Sequence, residues 1–215
     1  MITKGLLLSV WRRAAPWRPP LALLVLMMVL QLAPVAWADL LVWQRGAIEA
    51  GQWWRLWTGQ LLHLSAWHLI LNGLGLMVFM LLCPVRWGWQ GWTVRGLWLG
   101  AAVGLGLLWW VPSLHRYVGL SGLLHGLFVL GLWPQARQRD GVAIACLLYL
   151  VAKLGYEVIA GAPVSDEVLI GGRVITQSHL FGALGAVIFL SGCEALTRLR
   201  AAVNVSAPDT SNDEK

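Results

Sequence analysis

The chain has 215 residues, 58 % of them hydrophobic and 12 % charged, with a mean hydropathy of +0.67. Soluble domains carry roughly 25 % charged residues, so this chain cannot solvate a globular surface and belongs in a lipid bilayer. Its net charge of +6 is spread singly between apolar segments rather than gathered in a stripe, which excludes a nucleic-acid partner.

A membrane helix needs about 20 mostly apolar residues. Runs of that kind lie at 20–38, 66–83, 94–111, 121–134, 142–161 and 178–197. They predict an all-α membrane protein, with six transmembrane helices in one bundle over residues 20–197. A cytoplasmic segment (1–19) precedes it. A small, polar tail (198–215) follows and is expected to be disordered and cytoplasmic.

The first run follows Lys4, Arg12, Arg13 and Arg18 and ends near Ala36-Trp37-Ala38. That pattern resembles a signal peptide with its cleavage site, but the basic lead-in is long, and retention as a membrane helix is expected. Residues 39–65 are too long for a simple turn, and their Trp and Leu content predicts a structured loop in the outer interface. Trp37, Trp43, Trp53, Trp54, Trp57, Trp67, Trp87, Trp89, Trp109 and Trp110 flank the runs, as an interfacial aromatic belt would.

Polar residues inside apolar runs are costly unless paired or functional. The second run opens with His63, His68 and Asn72 in HLSAWHLILN. His68 and Asn72 share a helical face; they suit either an interhelical hydrogen bond or donation to a developing oxyanion. The fourth run is short and begins with Gly119-Leu120-Ser121-Gly122. Small residues around Ser121 fit close helix packing, and equally an accessible hydroxyl.

In the fifth run Lys153 and Glu157 are four apart and can pair on one face; substrate recognition and structural pairing are equal readings. The sixth run opens with Ser178-His179-Leu180-Phe181-Gly182, where Gly182 and Ala186 form a small-xxx-small ridge. If helices alternate direction, Ser121 and His179 share a depth, and an imidazole within reach makes a serine nucleophilic.

Orientation follows the Lys/Arg bias of the loops. With the N-terminus inside, the inner segments hold Lys4, Arg12, Arg13, Arg18, Arg86, Arg95, Arg137, Arg139, Arg198, Arg200 and Lys215. The outer ones hold Arg45, Arg55, Arg116 and Arg173. Both termini are therefore expected in the cytoplasm, with the polar cluster towards the outside. Cys83, Cys146 and Cys193 have no metal spacing and read as reduced core thiols.

The order HxxxxHxxxN, GxSG and HxxG, with Trp53-Trp54-Arg55 ahead of it, resembles the rhomboid intramembrane proteases over about residues 20–197. The resemblance implies a serine protease with a Ser121–His179 dyad and no acidic third member. Its oxyanion donors would be His68, Asn72 and the Ser121 amide; His63 would brace the first loop. No cofactor or metal is implied. The partner would be a substrate's transmembrane segment, entering beside the fifth helix of a protein in the bacterial inner membrane, with the site facing the periplasm.

One departure is His125, where many rhomboids carry an aromatic residue beneath the catalytic histidine. Being four residues after Ser121, His125 is also an alternative base. GLSGLLHG together with Lys153 and Glu157 resembles the rhombosortase branch, which implies substrates with a C-terminal Gly-Gly motif, an apolar helix and a basic tail.

Overall fold

The structure, a computed structural model, describes residues 15–206. Lys4, Arg12, Arg13 and Lys215, and the tail beyond 206, lie outside the described residues.

Helix α1 (Arg18–Gln31) starts on Pro19 and Pro20, residues preorganised for a first helical turn. It stops ahead of Pro34, which cannot donate to a continuing helix. The single helix expected over 20–38 is therefore two. Helix α2 (Val35–Leu41) is separate, and its Val35, Trp37 and Leu40 are all more than half exposed.

The segment 39–65 is structured, as expected. It contains a short strand β1 (Trp43–Gln44), helix α3 (Arg45–Glu49), helix α4 (Arg55–Thr58) and a 3-10 turn at Gly59–Leu61. Strand β1 pairs antiparallel with β2 (Arg116–Tyr117), Trp43 opposite Tyr117. Trp43 is a correction to the belt: it is fully buried, and its indole donates to Gly104 O at 3.1 Å. The loop seats there because Gly59 and Gly104 leave no room for a side chain. A Cβ on Gly59 would lie 2.5 Å from Trp43 N, and one on Gly104 2.8 Å from Leu56 O.

Helix α5 (Ala66–Leu82) is capped by Ser65, whose Oγ accepts from His68 N. Its axis turns 97° from the preceding helical stretch Arg55–Leu61. Helix α6 (Trp89–Trp110) ends under Arg45, whose guanidinium donates to Leu107 O, Leu108 O, Val111 O and Leu114 O at 2.8–3.1 Å. A cation on the last carbonyls satisfies groups that a helix end leaves open.

Helix α7 (Ser121–Arg137) packs against α5, α6, helix α8 (Gly141–Ala160) and helix α10 (Thr176–Ser206). Surrounded in this way, it buries Leu123, Leu124, Leu127, Leu130 and Leu132. Helix α8 begins on Asp140, which accepts from Ala143 N, and ends at Gly161 in the left-handed region. A short helix α9 (Glu167–Ile170) precedes α10. Helix α10 runs to Ser206, past the expected end at 197, so the first part of the expected disordered tail is helical.

Among the described residues three helices are long and apolar enough to cross a membrane alone: Trp89–Trp110, Gly141–Ala160 and Thr176–Ala202. The bent pair Arg55–Leu61 with Ala66–Leu82 makes a fourth candidate. Helices α1, with 14 residues, and α7, with 17, are shorter. At 1.5 Å per residue α1 spans about 21 Å, less than the roughly 30 Å of a hydrocarbon core.

Candidate active site

The starts of α5, α7 and α10 and the second half of α8 meet at one end of the bundle. Gly119 enters α7 with φ +124°, a backbone that glycine tolerates and other residues resist. It also lies against His68, where a Cβ would come within 2.8 Å of Nε2. The buried Tyr117 donates its hydroxyl to Gly119 O at 2.7 Å. Burial pushes the Tyr117 phenol up to about 12, which keeps it a donor. The loop thus hands over to α7 in a held conformation, with Ser121 in the first turn among amides that have no intrahelical acceptor.

His179 reaches Ser121 because α7 and α10 touch backbone to backbone. A Cβ on Gly182 would sit 1.9 Å from Gly122 O, and one on Gly126 would sit 2.6 Å from Gly182 O. His179 Nε2 lies 3.0 Å from Ser121 Oγ. The structure therefore brings Ser121 and His179 to hydrogen-bonding distance, and Gly122 and Gly182 are the residues that allow it. Gly126 was not singled out from sequence, although its i+4 spacing from Gly122 was readable as a packing ridge.

The imidazole is not alone on its other side. Glu157 Oε2 is 2.8 Å from His179 Nδ1, and Glu157 is 2 % exposed. Lys153 Nζ donates to Glu157 Oε1 at 2.6 Å, lies 3.0 Å from His125 Nε2 and 3.4 Å from His179 Nδ1. A carboxylate therefore stands where an acidic third member would, a departure from the dyad that the resemblance implied, and the Lys153–Glu157 pair forms on one face of α8 in contact with the histidine.

His125 stacks on His179, with ring centroids 4.1 Å apart and planes 12° from parallel, the place the resemblance gave to an aromatic residue. Its Nδ1 meets Ser121 O at 2.7 Å. A carbonyl only accepts, so Nδ1 carries the proton and Nε2 accepts from Lys153. His125 thus bonds the main chain of Ser121, whereas the Ser121 hydroxyl faces His179 Nε2. His125, Glu157 and His179 each present a ligand atom within 4.8 Å of the others, but the Lys153 ammonium already bonds two of these side chains and repels a second cation.

On the opposite wall, His68 Nδ1 accepts from Leu64 N at 3.3 Å, which leaves Nε2 as the protonated nitrogen. Asn72 Nδ2 donates to His68 O at 3.0 Å and keeps a second N–H. Both side chains are buried. His63 sits edge-on to the His68 ring at 5.0 Å, and both of its buried nitrogens are without a hydrogen bond. Among the described residues His63 therefore meets the loop without a hydrogen bond from its ring.

His68, Asn72, Ser121, His125, Lys153 and His179 all line one cavity of about 440 Å³. It lies between α5 and α8, which both lean on α7, and away from the polar end it is walled by Leu71, Val78, Phe128, Tyr149 and Leu150. The half or more of Tyr149 that is exposed, with exposed Leu71 and Val78 across from it, puts the mouth of this cavity on the apolar flank of the bundle.

An apolar helical bundle with a serine and a histidine in register at one end is the architecture of an integral membrane protein with a polar site. The rhomboid domain matches residues 50–193, more than half of the chain, and the protein belongs to the rhomboid family. It is also similar to a Bacillus subtilis (strain 168) protein named "Putative rhomboid protease YdcA", at 23 % identity over 159 residues, 74 % of this chain and 76 % of that relative.

Proposed function

We propose that this protein is an intramembrane serine endopeptidase in which Ser121 is the nucleophile and His179 its base. The observation that carries the reading is the 3.0 Å approach of His179 Nε2 to Ser121 Oγ at the polar end of an otherwise apolar cavity. Ser121 Oγ attacks the scissile carbonyl as its proton passes to His179 Nε2; the same proton then leaves on the departing amine. Water repeats the cycle on the acyl-enzyme. His68 Nε2–H, Asn72 and the Ser121 amide hold the oxyanion.

The substrate is a transmembrane segment that enters between α5 and α8. The protein lies in a bacterial inner membrane as six spans with both termini in the cytoplasm, and the site faces the periplasm. That orientation rests on the Lys/Arg bias. The shorter α1 and α7 would be accommodated by local thinning of the bilayer.

Within the family we assign it to the rhombosortase branch, acting on exported proteins with a C-terminal Gly-Gly motif, an apolar helix and a basic tail. GLSGLLHG with Lys153 and Glu157 supports this, since Ser121 and His125 of that motif are hydrogen-bonded into one cluster with Lys153 and Glu157. The test is fluorophosphonate labelling of the detergent-solubilised protein. Labelling of wild type, lost in both Ser121→Ala and His179→Ala, is expected; equal absence in all three folded proteins would favour a non-catalytic, client-binding rhomboid-like protein. Equal cleavage of substrates with and without the Gly-Gly and basic-tail features would return the protein to general rhomboid proteolysis.

A further inference from the structure

We infer that Glu157 is a positioning residue of the site, so that the protein works with a Ser121–His179–Glu157 triad in which Lys153 and His125 lock the carboxylate and the imidazole in place. The inference rests on the protease reading above and concerns how its base is prepared.

The argument is one of donors and acceptors. For His179 Nε2 to take the Ser121 proton it must be the unprotonated nitrogen, so Nδ1 must carry the hydrogen. A neutral imidazole in an apolar bundle chooses its tautomer by what its far nitrogen meets. Here the nearer group is Glu157 Oε2 at 2.8 Å, an acceptor only; the Lys153 ammonium stands farther off at 3.4 Å and makes its shorter bonds to Glu157 Oε1 and His125 Nε2.

The second oxygen of Glu157 is held by Lys153 Nζ at 2.6 Å, which fixes the rotation of the carboxylate and offsets its charge. Lys153 is in turn anchored on His125 Nε2 at 3.0 Å, and His125 is anchored on Ser121 O at 2.7 Å. The chain of bonds leaves Ser121 by its carbonyl and returns to it by its hydroxyl. It closes a ring across α7, α8 and α10, the three elements whose relative rotation decides whether the serine meets its base.

During attack the proton moves from Oγ to Nε2 while the Oγ–carbon bond forms. Glu157 keeps its charge throughout and receives no proton; it stabilises the imidazolium as a neighbouring anion. The charged and titratable groups facing it are Lys153 on its own helix, His125 from α7 and His179 from α10.

This reading and substrate recognition by Glu157 differ in what they do to kinetics. An orienting acid changes the chemical step and leaves binding alone; a recognition residue does the reverse. Inactivation of the full-length protein by a fluorophosphonate separates the two as kinact and KI. With Glu157→Gln, kinact of the folded protein should fall about 10²–10⁴-fold with KI within about threefold; Glu157→Asp should recover part of the rate.

The tautomer itself is read by NMR of 15N-histidine-labelled protein. A low-field Nδ1–H signal should be present in wild type and Ser121→Ala, and absent from Glu157→Gln and His179→Ala. A raised KI at unchanged kinact, or full activity of Glu157→Gln, would overturn the inference. If Glu157→Gln does not fold, the low-field signal in Ser121→Ala decides alone: its absence rejects the triad. If wild type never labels, the protease reading fails, and the same signal still decides whether Glu157 orients His179.

Discussion

His68 carries its proton on Nε2 because Leu64 N–H points at Nδ1, and this is what makes it a donor towards the cavity. Asn72 has one N–H engaged by its own helix and one left. Replacing either by Ala should lower the rate of acyl-enzyme formation about 10²–10³-fold, the worth of one oxyanion donor, with substrate KM little changed; pre-steady-state acylation checks this. Tyr117→Phe removes only the hydroxyl that holds Gly119 O. The expected cost is about 0.5–1.5 kcal/mol of stability, read from thermal unfolding in detergent. Gly119→Ala is harsher, because it meets both a positive φ and the His68 ring.

Between elements the decisive contact is α7 on α10, where glycine faces backbone. Gly182→Ala would place a methyl 1.9 Å from Gly122 O, and a carbonyl cannot rotate away as a side chain can. The helices must part, so loss of fluorophosphonate labelling and a lower melting temperature are expected together. Gly192→Ala on the same helix, with nothing within 4 Å of its added Cβ, should change neither.

Ser121 and His179 could be picked out of the sequence because each is a polar residue at the edge of an apolar run, and the Gly182 ridge because its spacing is helical. Glu157 could not be read this way. Its i,i+4 relation to Lys153 already supplies a complete local account, and nothing in a one-dimensional pattern states how α8 is rotated relative to α10. Trp43 was lost for the opposite reason, since a tryptophan in a Trp-rich loop reads as interface until Gly59 and Gly104 are seen to make room for it. Pro34 was visible, but a hydropathy window averages over the one residue that ends α1.

For the molecule as a whole, the loop over 39–65, α6 and β2 form a second buried cluster around Trp43, Ile48, Leu56, Val103 and Leu107, distinct from the one around α7. Arg45 joins the loop to the end of α6 through four carbonyls. Arg45→Ala should therefore loosen the loop while leaving the site's own contacts intact. The measurement is proteolytic nicking within residues 39–65, expected to speed up more than the fall in labelling rate.

The Lys153–Glu157 bond has a further meaning during biogenesis. The chain leaves the ribosome in order, so α8 reaches the lipid before α10 and its His179 arrive beside it. Lys or Asp at the centre of an inserting helix costs about 2.5–3.5 kcal/mol on insertion scales and less towards its ends; with Lys153 and Glu157 in the second half of α8, two unpaired charges would still oppose insertion. Because the two residues lie one turn apart on the same helix, they can neutralise each other without any other part of the protein. Helix α8 thus arrives carrying a self-contained ion pair, and assembly only has to turn it until the spare carboxylate oxygen meets the imidazole. Lys153→Met should accordingly reduce membrane-inserted protein more than the double replacement of Lys153 and Glu157 by Met, as scored by carbonate extraction after expression.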